Sequence, residues 1–444
     1  MNTMSKFRLS STLLIALLMS VMSIGDINAA QVEIDGVRYQ DSGTGIGEGE
    51  AIISGINQAS IPAVVVIPEK VTINEKECVV TRIHREAFAR NTTITSVTLP
   101  AQLKYIDNYA FSQCTNLAEI KGFPEKLDYM GHAVFNNTKW LSDLADTAPE
   151  GLYLAGGWVL GYVGDIPETL TFPNNTIGIC DNFAYRISYT SYSYVKKIIL
   201  NEGLKYINYD AFEYFLGLTE VNLPASLEVI EDEAFDCCAN VEQFTVAAGN
   251  NYFSAVDGIL YNKEQTKLIL YPCGKTDTEV VVGNNVTELA EYAFYGAYYI
   301  KSLTIPKSVT EIPSQAIRAM NSLETVILPS TITYFGFGIF CQCNSLKSII
   351  LYAEETPEFW GEDLSLLTET TLYVPEVSID AYKAHDKWGK MVNIKAIDVY
   401  TGIENVDINK SSIDNVIYNL NGQRISSPQK GQIYINNGKK YIQR

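Results

Sequence analysis

Leu204-Lys-Tyr-Ile207-Asn-Tyr-Asp-Ala211-Phe212 is answered, 23 residues further on, by Leu227-Glu-Val-Ile230-Glu-Asp-Glu-Ala234-Phe235. The Leu, Ile, Ala and Phe keep their places, and the residues between them are polar and change freely. The same frame returns in Val286-Thr-Glu-Leu289-Ala-Glu-Tyr-Ala293-Phe294 and Val309-Thr-Glu-Ile312-Pro-Ser-Gln-Ala316-Ile317. It holds at Ile83/Ala87/Phe88, Ile106/Ala110/Phe111 and Phe335/Ile339/Phe340, more loosely at Met130/Val134/Phe135, and least regularly from Ile179 to Tyr185. Self-similarity at a fixed short period marks an array of one structural unit rather than a set of ordinary domains.

Each copy has a second half. It reads Ile94-x-x-Val97-x-Leu99-Pro100, Leu218-x-x-Val221-x-Leu223-Pro224, Ile300-x-x-Leu303-x-Ile305-Pro306 and Leu323-x-x-Val326-x-Leu328-Pro329. Apolar and polar residues alternate there with the period of a strand. Proline closes it, having no N–H to give a ladder. The spacing therefore predicts two short extended segments per repeat, joined by tight corners. One such unit cannot bury its own apolar side; stacking places Ile over Ile and Phe over Phe in one continuous core. The expectation is a mostly β solenoid of roughly nine 23-residue turns.

The composite repeat, Leu-x-x-Ile-x-Leu-Pro-x-x-Val-x-x-Ile-x-x-x-Ala-Phe-x-x-Cys, resembles the BspA-type leucine-rich-repeat family of bacterial surface proteins over about residues 80–397. The resemblance implies a leucine-rich-repeat solenoid and extracellular adhesion, including binding of host matrix proteins. The family has no agreed binding residues, so none is carried over. In leucine-rich repeats an Asn or Cys at one corner points inward. Here Asn91, Cys114, Cys238 and Cys343 hold that place, three past the Phe, so these three Cys read as buried thiols. Cys237 and Cys341 fall at corners, and Cys78, Cys180 and Cys273 lie outside the frame; the redox state of these five is left open.

The ends and interruptions complete the organisation. Lys6 and Arg8, an apolar run from Leu9 to about Ile24, and the small residues Asn28-Ala29-Ala30 follow the order of a secretory signal over 1–30. The uninterrupted apolar core, Leu13 to Met19, is short for a membrane span. Residues 31–79 read as an N-terminal cap and first strands, and 80–397 as the solenoid. Two inserts, near 144–175 and 247–285, read as β-hairpins with Gly or Asp-Gly turns, and resemble inserts of the same family. Ser378 to Lys387 can form a short amphipathic capping helix. Residues 398–444, with Asn421-Gly422 and Asn437-Gly438 turns, read as a small antiparallel β module. This tail is similar to C-terminal modules of exported Bacteroidetes proteins.

Composition narrows the function. With 51 Asp and Glu against 33 Lys and Arg, the formal charge is −18. An acidic chain is a poor partner for nucleic acid, whose phosphates call for clustered cations. The three His are scattered, and no nucleophile elbow, phosphate loop, zinc-protease helix, Cys-x-x-Cys or calcium loop is present. No catalytic residue, cofactor or metal is expected, and no membrane insertion once the signal is removed. The expected role is recognition outside the cell or at its surface by a monomer, with an extracellular protein as partner. A glycan is the alternative partner, and a structural scaffold a third reading.

Tyrosine is the informative residue: 28 are present. Tyr185-Arg-Ile-Ser-Tyr189-Thr-Ser-Tyr192-Ser-Tyr194 lengthens one corner, and the same corner carries Tyr214, then Tyr295, Tyr298 and Tyr299. Tyr–Ser mixtures serve adaptable binding surfaces, because Tyr offers large amphipathic contact at low entropy cost. The bland reading is a ridge of rings that seals the solenoid edge. A second candidate is the outward row of the Pro-ended strands, in which Ile327 and Ile350 are expected to stack as an exposed apolar patch. A third row, Tyr105, Tyr129, Tyr206 and Tyr334, precedes the core Ile and either binds or simply packs.

Overall fold

The computed structural model describes residues 30–42, 49–181, 183, 193–360, 364 and 367–397, together with the backbone of four short strands between 417 and 442. The chain forms two compact units. The first comprises Met1–Asp165, Asn175–Ile187 and Ile207–Tyr209; the second comprises Ile166–Asn174, Ser188–Tyr206 and Asp210–Arg444.

In the first unit two sheets run side by side through the coils. One begins as an antiparallel meander, Gln31–Ile34, Val37–Asp41 and Glu50–Ile56. It then becomes parallel through Lys76–Ile83, Tyr105–Ile106 and Tyr129–Met130. The other is wholly parallel: Val64–Val66, Ser96–Thr98 and Glu119–Lys121. Parallel in-register pairing is what a repeated coil dictates, since each strand meets its own copy one turn on. Phe88, Phe111 and Phe135 stack between the sheets, with ring centroids 4.8 and 5.6 Å apart and nearly parallel planes.

The second unit repeats the plan. Its longest sheet is parallel, in the order Glu279–Val281, Ser302–Thr304, Thr325–Leu328, Ser348–Leu351, Thr371–Val374 and Asn393–Ala396. Val280, Leu303, Val326, Ile349, Leu372 and Ile394 stand opposite one another in register. Leu303, Val326, Ile349 and Leu372 belong to one continuous core with Phe294, Ile312, Ile317 and Phe335. The apolar surface removed from water by such a column is the main stabilising term. At the C-terminal end, Ile379–Ala384 forms the short helix expected of the cap. Trp388 is fully buried there, its indole N–H donating to Pro357 O at 3.0 Å, and Tyr382 Oη donates to Ala353 O at 2.9 Å.

The mostly β expectation holds, with 33% strand against 6% helix, and the coils are of the leucine-rich-repeat kind. About 13 turns stack, more than the roughly nine read from the motif. The additional ones pair in register without an Ala-Phe corner, as Lys267–Leu270 does with Glu288–Leu289 and Thr371–Val374 with Asn393–Ala396.

Both interruptions contain hairpins. Gly151–Ala155 pairs with Trp158–Val163, and Phe253–Val256 with Ile259–Asn262. Asp257 and Gly258 both have positive φ, the tight hairpin turn that Asp-Gly favours. A helix that the hairpin reading missed, Lys139–Thr147, leads into the first interruption. Thr138 caps it by accepting the Leu141 N–H, and Lys139 reaches Asp143 one turn on.

Candidate recognition surface

The corner that carries the tyrosines is built the same way in coil after coil. Two residues, four apart, take left-handed backbone: Glu86 and Arg90, Tyr109 and Gln113, Ala133 and Asn137, Asp210 and Tyr214, Glu233 and Cys237, Tyr292 and Gly296, Gln315 and Ala319. For a residue with a Cβ that conformation costs about 1–2 kcal/mol, so something must impose it. Alternate amides supply the reason: those of the Phe and of the second left-handed residue bond to the next coil, while the amides between them, such as Ala87 to His84 O and Ala89 to Glu86 O, bond within their own. Phe88 and Arg90 donate to Ala110 O and Ser112 O, both at 2.8 Å. Phe212 and Tyr214 donate to Ala234 O and Asp236 O at 2.8 and 3.0 Å. Phe294 and Gly296 donate to Ala316 O and Arg318 O at 2.9 and 3.1 Å.

This backbone turns the Phe inward and brings the next two residues to the corner, where Arg90 and Gln113 are exposed and Ser112 and Ala319 are covered. The following Cys turns inward again, as expected. Cys114 Sγ donates to Phe88 O at 3.0 Å, and Cys238 Sγ to Phe212 O at 3.1 Å; the longer Cys343 contact to Ile317 O is 3.8 Å. All three are buried free thiols, and burial pushes Cys114 and Cys343 up to about 11. Asn91 does the corresponding work with its side-chain oxygen, accepting from Thr93 and Ile94 N–H at 2.9 and 2.8 Å.

In the second unit the corner pair becomes a ridge. Tyr214 and Cys237 share a side-chain hydrogen bond. Tyr292 and Tyr295 have ring centroids 5.7 Å apart, Gln315 hydrogen-bonds Tyr292 Oη, and the Arg318 guanidinium lies 5.9 Å above the Tyr295 ring. Gly296 takes the left-handed place at φ 66° without a Cβ penalty, beside the Tyr298 ring and Cys273 Sγ. Glu213, Glu233 and Asp236 sit among these groups, half-buried. Burial, with Glu233 and Glu213 beside it, pushes the Asp236 carboxyl up to about 6. Burial and then the charge of Asp236 push Cys237 up to about 12, and Tyr295 likewise. Phenols and thiols are thus neutral near pH 7, and these thiols are poor nucleophiles. The arrangement makes contacts and hydrogen bonds. No group of three or more His, Cys, Asp or Glu among the described residues is placed to hold a metal.

The nominated residues divide into four sets. Tyr194 and Tyr299 stand in solvent, 66% and 47% exposed. Tyr214, Tyr295 and Tyr298 are half-buried in the ridge. Tyr185, Tyr189 and Tyr192 lie outside the described residues. Ile327 and Ile350 do stack in register, but the exposed patch is not there: they are 7% and 1% exposed. Alternation places them on the side opposite Val326 and Ile349, yet they occupy the middle of a row that runs Val281, Thr304, Ile327, Ile350, Tyr373 and Lys395. Each is shielded by a neighbour on both sides, while the end members Val281 and Lys395 remain open.

The Tyr105 and Tyr129 row stacks in register as well, with Arg82 5.5 Å from the Tyr105 ring. Motif reading passed over two exposed aromatics on adjacent coils, Phe337 and Trp360; Trp360 is 68% exposed. Their signal was the place just beyond the core Phe335 and Phe359, which face each other in register.

Six copies of the BspA type leucine rich repeat region match residues 68–148, 168–262 and 269–357, more than half of the chain. The chain belongs to that family. Among solved structures, the pneumococcal vaccine antigen PcpA is similar at 18% identity over 84% of this chain and 99% of its own, with a TM-score of 0.39. A leucine rich cell surface protein from Faecalibacterium prausnitzii A2-165 is similar at 18% identity over 83% and 95%, with a TM-score of 0.37. A leucine-rich repeat protein from Bacteroides ovatus is similar at 16% identity over 83% and 100%, with a TM-score of 0.30. No curated protein matches the sequence.

Proposed function

We propose that this BspA-type protein is exported by its N-terminal signal, acts at the cell surface or outside the cell, and binds an extracellular protein without catalysis. The observation that carries the reading is the ridge, where exposed Tyr194 and Tyr299 flank half-buried Tyr214, Tyr295 and Tyr298 on one corner of one unit. Tyrosines already held by their neighbours lose little further entropy on binding and bring an apolar ring with a polar tip. In this reading 31–79 caps the start of the array, 80–397 presents the surface, and 398–444 is a separate Bacteroidetes-type module. No cofactor takes part, and the chain works as a monomer.

The test is binding of the chain from Gln31 to extracellular-matrix proteins and to glycans in parallel, with Tyr194→Ala/Tyr299→Ala beside it. Removing two exposed rings from a working interface should weaken protein binding at least about tenfold. The melting temperature should stay nearly unchanged, since neither ring is in the core. Protein binding indifferent to both rings sinks the ridge as the site. Binding to glycans alone supports a second reading, which Trp360 and Phe337 favour: exposed aromatic faces on adjacent coils suit a sugar ring.

A further inference from the structure

The chain separates its charges along its length. Residues 415–444 contain Arg424, Lys430, Lys439, Lys440 and Arg444 and no Asp or Glu. The preceding residues carry all 51 carboxylates and only 28 of the 33 cations. The basic segment is also a folded piece: its four strands make one antiparallel sheet in the order Arg424–Ile425, Ile417–Tyr418, Ile433–Asn436, Lys439–Ile442. Arg424, Lys439 and Lys440 therefore belong to its two outer strands, whose free backbone edges pair with nothing among the described residues.

The complementary surface is on the second unit. Successive corners of the tyrosine ridge carry Glu213, then Glu231, Asp232, Glu233 and Asp236, then Glu288 and Glu291, all exposed or half-buried. Two cations take part among the described residues: buried Lys267 attracts Asp232, Glu288 and Glu291, and Arg318 lies over the Tyr295 ring. Burial first, and like charge second, push Glu231 up to about 7 and Asp236 up to about 6, so a cation brought to this corner would favour their charged forms.

We propose that the basic C-terminal sheet docks on this acidic, tyrosine-bearing corner of its own chain. Reach allows it. About seven coil steps of about 4.8 Å, some 35 Å in all, separate Asn393–Ala396 from Gln243–Val246. The chain from 398 to 416 can extend to about 60 Å. Tethering also favours the chain's own module over a second copy, because a short linker holds it at an effective concentration of about millimolar. The proposal rests on the corner being a docking face, and makes the module a competitor of whatever external protein binds there. Its test needs no such partner, so the two readings can fail separately.

The experiment is carbodiimide coupling, which joins a carboxylate to a lysine amine in direct contact. The chain from Gln31 is treated at micromolar concentration in low salt, and the monomer fraction is digested and analysed by mass spectrometry. The Lys347–Glu324 ion pair, at 2.5 Å, serves as the internal control. The expected products join Lys430, Lys439 or Lys440 to Glu213, Glu233 or Glu291. Their yield should fall at least about fivefold near 0.5 M salt, where exposed charges are screened. It should fall as far in Lys439→Glu/Lys440→Glu and recover when Glu213→Lys/Glu233→Lys is added. Links confined to a dimer fraction would make a second copy the occupant and overturn the proposal. So would links to other surfaces, or none while the control forms, including the case where the module binds only added anionic vesicles.

Discussion

The corners of the two units share a backbone and differ in what they display. In the first, Phe88, Phe111 and Phe135 point inward and are followed by Ala89, Ser112 and Asn136, small and uncharged. In the second, Phe212, Phe235, Phe294 and Ile317 point inward and are followed by Glu213, Asp236, Tyr295 and Arg318. The amide ladder and the left-handed pairs are the same in both. The inward column therefore carries the fold, and the outward column is free to carry recognition. A repeat protein can vary one without disturbing the other, because each coil answers chiefly to its neighbours.

That division breaks if the inward column proves dispensable. Phe111 is fully buried and stacked on both sides, so Phe111→Ala leaves a cavity that neighbouring coils cannot fill. Losses of about 3–5 kcal/mol are usual for such a change. Chemical denaturation should show a loss of that size; a loss below about 1 kcal/mol would mean that the column does not hold the coils together.

A smaller effect separates the units by charge. The residue after the core Ile is Asp107 in the first unit, paired with Arg82 at 2.8 Å, and Glu231 in the second, next to Asp232. Glu231 is pushed up to about 7, first by burial and then by Asp232. As pH rises past the ordinary carboxylate range the unfolded chain releases this proton first. Stability therefore falls until pH passes about 7 and stays lower above it. Glu231→Gln should then melt higher than wild type at pH 8, by the equivalent of about 1 kcal/mol, with no difference at pH 4. Equal melting at both would show that Glu231 has found a compensating partner.

Much of the inward column was legible in the sequence, because apolar periodicity and a closing proline are local signals. The Asp257-Gly258 turn and the capping helix were legible for the same reason. The helix at Lys139–Thr147 was not, since one short helix leading into an interruption leaves little periodicity. Nor was the burial of Ile327 and Ile350: alternation tells which side a residue faces, while depth depends on what stands beside it in the stack. The ridge was half legible. Its tyrosines show in the sequence, but Asp236, Cys237 and Arg318 join it only through coil-to-coil neighbours far apart in the chain.

The smallest expected effect tests whether the corner backbone is shared for the reason given. Gln113 is exposed and left-handed at φ 61°, and its N–H donates to Asn136 O at 2.7 Å. Gly296 holds the same place in the second unit at φ 66° without a Cβ penalty. Gln113→Gly keeps the amide bond and removes about 1–2 kcal/mol of strain. It also gives the unfolded chain more freedom, which takes back about 0.5–1 kcal/mol. A net gain of about 0.5 kcal/mol should appear in denaturant midpoints, with the slope unchanged. A clear loss instead would mean that the Gln113 side chain, and not the ladder alone, sets the corner, and the two units would then differ in backbone logic as well as in display.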